Sequence, residues 1–304
     1  MAGKVTAAIT ELFSQAGCTG QLCVQSLDGK QEVAVAAELP AVAASVFKVC
    51  VALEAETQFA DGRLDPLERV TLAASRRTPG PVGFSLYRDD VIVSLQDLVV
   101  PMLTISDNVA TDALLERLGI DAVNAGCARL GLTGTVIAAD LRTAIDSIGI
   151  AGGFSGWDAM SAWASEPHRE SEEQRIDQLL MKADALTAKR ATRTTPRDMV
   201  TLLQLIWSDQ AGPARACRRV RQLMGQHLSK HRLAAAFPPP ARVSAKSGSL
   251  VGIIRNEVGV IEYPDGAAYA VAVFTQVSEP GQGGAAVDQA IGAAAAAAIG
   301  QLRG

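Results

Sequence analysis

Three short clusters in this chain carry the residue types of acyl transfer: Ser45-Val46-Phe47-Lys48, Ser106-Asp107-Asn108 and Lys246-Ser247-Gly248, in that order. A serine hydroxyl is a poor nucleophile until a neighbour takes its proton. Lys48 is spaced to do so, because residues three apart on a helix share a face, and a helix over 46–54 would stand its amine beside Ser45. The amine must be neutral to act, although its ordinary pKa is about 10.4. Burial and a second cation both lower it, and Lys246 is the candidate for that cation. The apolar flanks Ala41 to Ala44 and Val49 to Leu53 set the pair at the start of a buried helix. Its N-terminal N–H groups would suit a developing oxyanion. A core helix with a capping serine is the plainer alternative for this cluster.

The second cluster follows the apolar run Leu98 to Ile105 and precedes Ala110, Leu114, Leu115 and Leu118 at helical spacing, which puts Ser106 in a helix-start loop. For purely local reasons such a serine would be an N-cap. The third sits near the end of Ala241 to Leu250, an expected edge strand followed by strands over Arg255 to Tyr263 and Tyr269 to Gln276 around the turn Tyr263-Pro264-Asp265-Gly266. A lysine that merely discourages edge aggregation is common on such a strand, but it leaves the other two clusters unexplained. A helix near Val5 to Phe13 and a hairpin over Gln21 to Ser26 and Glu32 to Ala36, turning at Asp28-Gly29, open the chain. An alanine-rich helix, Gly281 to Leu302, closes it.

One S-x-x-K arises easily by accident; the ordered triple does not. The set resembles that of class A β-lactamases and penicillin-binding proteins. The resemblance implies an α/β fold of the β-lactamase/transpeptidase type, with an antiparallel sheet flanked by helices plus an all-helical lobe. It would be one catalytic domain over 1–304, with the α/β lobe near 1–50 and 210–304 and the helical lobe near 51–209. By the same resemblance Ser45 is the nucleophile, Lys48 the base and Ser106 the relay to the leaving group. Asn108 hydrogen-bonds the substrate amide, Lys246 binds a substrate carboxylate with help from Ser247, and Gly248 and Ser249 flank the substrate. The backbones of Ser249 and Ser45 form the oxyanion hole.

One stretch departs from that family. Residues 141–195 are longer than it usually has, and the E-x-x-L-N motif, whose glutamate activates the deacylating water, is missing. Glu166-Pro167-His168-Arg169-Glu170 shares only the opening pair; Glu166 is a candidate base, or else part of the solvated charged run Glu166 to Arg175. The insertion, with Trp157 and Trp163, is expected either to line the pocket or to add surface helix. Thr195 and Pro196 read as N-cap and first residue of the next helix. Acylation of Ser45 is therefore better supported than rapid hydrolysis. The expectation is a serine hydrolase acting on an ester, amide or β-lactam. The alternatives are an acyltransferase, an esterase, a penicillin-binding carboxypeptidase-like protein, or a non-catalytic binding module.

With 304 residues, 48% of them hydrophobic, the chain can bury a large core. A net charge of −4 gives no pull toward nucleic acid, and Arg215, Arg218, Arg219 and Arg221 read as a solvated helix face. Ala293 to Ala298 is too short to span a bilayer. The start Met1-Ala2-Gly3-Lys4 has no signal-peptide pattern, so a cytoplasmic setting is expected. The five cysteines (Cys18, Cys23, Cys50, Cys127, Cys217) read as reduced core residues, and no metal site or cofactor is expected. His168, His227 and His231 lie apart from the three clusters in sequence.

Overall fold

The computed structural model describes residues 2–277 and 284–304. The chain begins with α1 (Ala2–Gln15) and the hairpin β1 (Cys18–Ser26) and β2 (Glu32–Val35). At its turn Asp28 accepts from the Ser26 hydroxyl at 2.6 Å and the Lys30 N–H at 3.2 Å, while Gly29 supplies the left-handed φ of +72° that the turn requires. The short β3 (Ala41–Val42) then leads through a 3-10 turn, Ala44–Phe47, into α2 (Lys48–Ala60). Next come β4 (Arg69–Leu72), β5 (Val91–Ser94), α3 (Leu95–Thr104), α4 (Asn108–Leu118) and α5 (Ile120–Arg129). The long segment that follows holds α6 (Leu141–Ala151), α7 (Trp157–Ala164), α8 (Glu170–Leu180) and β6 (Arg193–Thr194). After it come α9 (Pro196–Trp207), α10 (Ala214–Gly225) and α11 (Leu233–Ala236), and the chain ends with β7 (Arg242–Leu250), β8 (Ile254–Glu262), β9 (Ala268–Val277) and α12 (Gly284–Arg303).

The five-stranded antiparallel sheet has the order β2-β1-β9-β8-β7. Its central strands β8 and β9 are nearly continuous runs of buried residues, rather than alternating, because helices cover both faces. On one face Leu22, Val24, Ile261, Val271 and Val273 join a core with α1 and α12. On the other Cys23, Val258, Val260, Ala272 and Phe274 join one with α2, α3, α9 and α10. Each of the valine, leucine, isoleucine and phenylalanine side chains contributes roughly 1.5–3 kcal/mol by leaving water.

α9 packs on β9, β1 and β8. Its start is as read: the Thr195 side chain accepts from Asp198 N–H, and Pro196 opens the helix. The closing helix is described from Gly284, and Gly281 to Gly283 lie outside the described residues. α12 has 20 residues with a window of mean hydropathy 1.2, long and apolar enough by itself to cross a membrane. Half of that window is buried, with Val287, Ile291, Ala294 and Ala298 among its fully buried residues, and the helix lies against α1, β1 and β9, as a core helix does. All five cysteines are free and buried.

Candidate active site

The turn that carries Ser45 is pinned from two sides. β3 pairs with β6, and Ala43 N–H donates to Thr192 O at 2.9 Å, so the end of the long insertion holds the chain just before Ser45. From the sheet, buried Asn256 on β8 donates its amide to Val42 O at 2.8 Å and Ala43 O at 3.2 Å. Ala44 sits at φ +44°, an unusual conformation for a residue with a Cβ and a sign that its surroundings dictate the turn. Ser45 is half-buried and faces a cavity.

Lys48 begins α2 with no exposed surface, and Nζ donates to Ser106 O at 2.7 Å and Asn108 Oδ1 at 2.8 Å, with Ser106 Oγ at 3.3 Å and Asp107 O at 3.5 Å. The first two motifs are thus one hydrogen-bonded unit. The amine is aimed at the second motif and, among the described residues, makes no hydrogen bond to Ser45; helical spacing alone could not show this. Burial lowers the Lys48 pKa to about 7 against the opposing charges of Asp107 and Asp112. Burial is the largest cause of that shift.

Ser106 is not the helix cap. It lies at φ +65°, and the cap of α4 is Asp107, whose carboxylate accepts from Ala110 N–H at 2.9 Å and from Phe84 N–H at 2.7 Å. Ser106 is left free to face the cavity. Asn108 donates to Pro79 O at 2.7 Å while accepting from Lys48, so both ends of its amide are fixed.

The third motif lies on the edge strand β7, with Ser247 opposite Glu257 and Gly248 opposite Asn256. A Cβ on Gly248 would meet Ser45 N at 3.0 Å and Ala43 O at 3.1 Å, so the glycine lets the strand lie against the nucleophile turn. Gly248→Ala is expected to slow acylation of Ser45 about tenfold or more by moving the strand a few tenths of an ångström, measured as the rate of label incorporation. Lys246 is fully buried and donates to Ser247 O at 2.7 Å. Burial pushes its pKa well below the ordinary value, and the Lys48 charge pushes the same way. Ser247 and Ser249 line the cavity, but Lys246 does not.

Two groups were invisible to motif reading. His227, set apart from the clusters in sequence, is buried with Nε2 at 2.9 Å from Ser247 Oγ and Nδ1 at 3.0 Å from Leu103 O. Buried Arg232 donates to Gly248 O at 3.1 Å, Asn256 O at 2.6 Å, Ser249 Oγ at 2.7 Å and Asp288 Oδ1 at 2.7 Å, bracing the strand from behind. Neither has a local signal, since their partners are between 16 and 124 residues away.

The cavity holds about 590 Å³, and Ser45, Ser106, Asn108, Ser247 and Ser249 converge on it. Its far wall is part of the insertion: Leu141, Ala144 and Ile145 of α6, with Asp184, Ala185, Arg190 and Ala191. Trp157 and Trp163 do not line it; Trp163 stacks on His168 at 3.9 Å and tilts against Phe154. The insertion therefore does both things expected of it, with α6 lining the pocket while α7 and α8 stand behind. Glu166 is exposed between α7 and α8 and is absent from the lining, so it is not placed to activate water at Ser45.

An α/β fold with a serine beside a buried lysine, a Ser-Asp-Asn turn and a Lys-Ser-Gly edge strand defines a serine hydrolase of the acyl-enzyme type. The chain matches the beta-lactamase enzyme family over residues 4–302 and belongs to it. It is 29% identical over 287 residues to the beta-lactamase regulatory protein BlaB of Streptomyces cacaoi, covering 90% of this chain and 89% of that protein. Its fold is that of PBP-A (TM-score 0.75, 21% identity, 99% and 96% of the two chains). It is also that of a beta-lactamase from Sphaerobacter thermophilus (TM-score 0.75, 23% identity, 97% and 95%).

Proposed function

We propose that the protein forms an acyl-enzyme on Ser45 from a small ester, amide or β-lactam, with Lys48 as general base. Ser106 passes the proton on to the leaving group. Asn108, Ser247, Gly248 and Ser249 hold the substrate, and the N–H groups of Ser45 and Ser249 receive the oxyanion. The observation that carries this reading is the buried Lys48 amine, titrating at about 7 within 3.3 Å of the Ser106 hydroxyl. A base with a pKa near the working pH is partly neutral when it is needed.

The acyl-enzyme is expected to be long-lived. Asp184 is the one carboxylate among the described lining residues, and Arg190 engages both its oxygens at 2.8 and 3.1 Å. The rest of that wall is leucine, isoleucine, alanine, serine and threonine with Arg190, none of which is a ready base for water. This favours a penicillin-binding protein that stalls, or transfer to an acceptor other than water, over a fast β-lactamase, and it is compatible with a relative named as a regulatory protein. The buried free cysteines agree with a reducing, cytoplasmic setting.

Incubation with a fluorescent penicillin, followed by intact mass, tests this. The expected result is an adduct on Ser45 that outlasts many minutes and is lost in Ser45→Ala. Rapid turnover of a chromogenic cephalosporin, abolished in the same variant, would keep the acyl-enzyme and overturn the stalled deacylation.

A further inference from the structure

The cavity in front of Ser45 holds about 590 Å³, within the range of pockets that enclose drug-sized ligands and far more than an acetyl group fills. In a tetrahedral intermediate the carbon bonded to Ser45 Oγ has three other substituents. The oxyanion turns to the Ser45 and Ser249 N–H groups, and the leaving group lies toward Ser106. The acyl chain is left with the far wall, which the long insertion builds.

On that wall α6 presents Leu141, Ala144 and Ile145, which helical spacing puts on one face, with the hydroxyls of Thr143 and Ser147 beside them. The face is fixed relative to the site. Asp112 of α4, the helix that Asn108 opens, accepts from the Leu141 N–H at 2.8 Å and the Arg142 N–H at 2.9 Å, and Asp140 accepts from the Thr143 N–H at 2.7 Å. Arg142 turns its guanidinium away to Asp146 and Asp158 and does not line the cavity. The three ionisable side chains that do, Asp184, Arg190 and His231, are 55%, 67% and 56% exposed, so their charge belongs to the wet mouth. Arg190 spends Nη1 on Asp184, and its other nitrogens are open to water there. An apolar chain laid along α6 therefore leaves water without stripping it from a charge.

We propose that α6 makes this cavity an acyl-chain pocket, so that the site takes donors with a bulky apolar acyl group over acetyl-sized ones, with Leu141, Ala144 and Ile145 determining specificity. The proposal rests on the Ser45 acyl-enzyme reading. The p-nitrophenyl esters of acetic, butyric and octanoic acid test it, together with the ester of suberic acid, which is the octanoyl chain ending in a carboxylate. In each, Ser45 Oγ bonds the carbonyl carbon, p-nitrophenolate leaves and the Ser45 proton passes to Lys48. Acylation rates are read from the p-nitrophenolate burst and intact mass, with an ethyl fluorophosphonate as an independent label for Ser45.

The octanoyl ester is expected to acylate Ser45 at least tenfold faster than the acetyl ester, since each further buried methylene multiplies the rate about threefold until the pocket is full. In Ala144→Leu, which fills the wall with a good helix former, the octanoyl-to-acetyl ratio should fall at least threefold, whereas a displaced Ser45 would slow both esters alike. Rates that are flat or falling with chain length would overturn the proposal without any variant being needed. A ratio unchanged in a folded Ala144→Leu would remove the chain from α6. A suberyl ester faster than the octanoyl ester would also overturn it and give the free nitrogens of Arg190 an anion to bind. Fluorophosphonate labelling of Ser45 with no reaction of any ester would count against the pocket alone. Failure of the fluorophosphonate as well would sink the Ser45 reading itself.

Discussion

Replacing Lys48 by methionine is expected to lower the rate of Ser45 acylation by about 10³-fold, within the range general-base removal produces. Methionine keeps most of the stem's volume in a site with no exposed surface and removes only the amine. The wild-type rate should rise with pH through about 7, because the protonated amine cannot accept and burial holds its pKa there. In Lys48→Met that rise should vanish and leave a flat residual rate. Asp112 supplies a finer check, since its charge raises the Lys48 pKa. Asp112→Asn can keep one acceptor oxygen, for the Thr78 hydroxyl at 2.6 Å and the Arg142 N–H at 2.9 Å, giving up the bond from Leu141 N–H while removing the charge, so the midpoint should move to lower pH. A rise that survives in Lys48→Met would assign the base elsewhere. Stopped-flow fluorescence with a labelled penicillin reads all three profiles.

Reading the residues in order captured the placement of the candidate site where it is local. Ser45 and Lys48 share one helical turn, and Lys246, Ser247 and Gly248 share one strand, so spacing alone placed them. The central strands showed as apolar runs because both their faces are covered. Local patterns gave the wrong result where two residues compete for one job. In Ser106-Asp107-Asn108 every side chain can cap a helix, and only the backbone decides: φ of +65° turns Ser106 away and gives the cap to Asp107. The wall built by α6 was half legible, since Leu141, Ile145 and Ile148 recur at helical spacing, but nothing in that spacing says the helix leans on Ser45's cavity. His227 and Arg232 could not be read at all, because their partners are distant in sequence and their significance is a matter of burial.

Asp288→Ala is expected to cost about 3–5 kcal/mol of stability, the range found when one partner of a buried ion pair is removed. Among the described residues Asp288 is the carboxylate that ion-pairs with Arg232, whose side chain is 1% exposed, with Glu257 near enough to feel its charge; Arg255, at 19%, can turn to water instead. The carboxylate accepts from Arg232 Nε at 2.7 Å and from Arg255 at 2.6 and 2.9 Å. Burial alone would raise its pKa, but hydrogen bonds from Arg255 and the charge and hydrogen bond of Arg232 outweigh that and hold it below the ordinary value. A depressed carboxylate stabilises fully above its unfolded pKa, and the contribution fades as pH falls through the lower folded one. The gap between wild type and Asp288→Ala in urea melts should therefore be full at pH 7 and shrink in strong acid. The same residue joins α12 to the strand behind Gly248 and Ser249 through Arg232, so the variant should also slow acylation under conditions where it remains folded. A melt displaced by less than 1 kcal/mol would mean that the two backbone carbonyls and Ser249 satisfy Arg232 without a counter-charge. Arg232 would then brace the edge strand through Gly248 and Ser249 without help from Asp288.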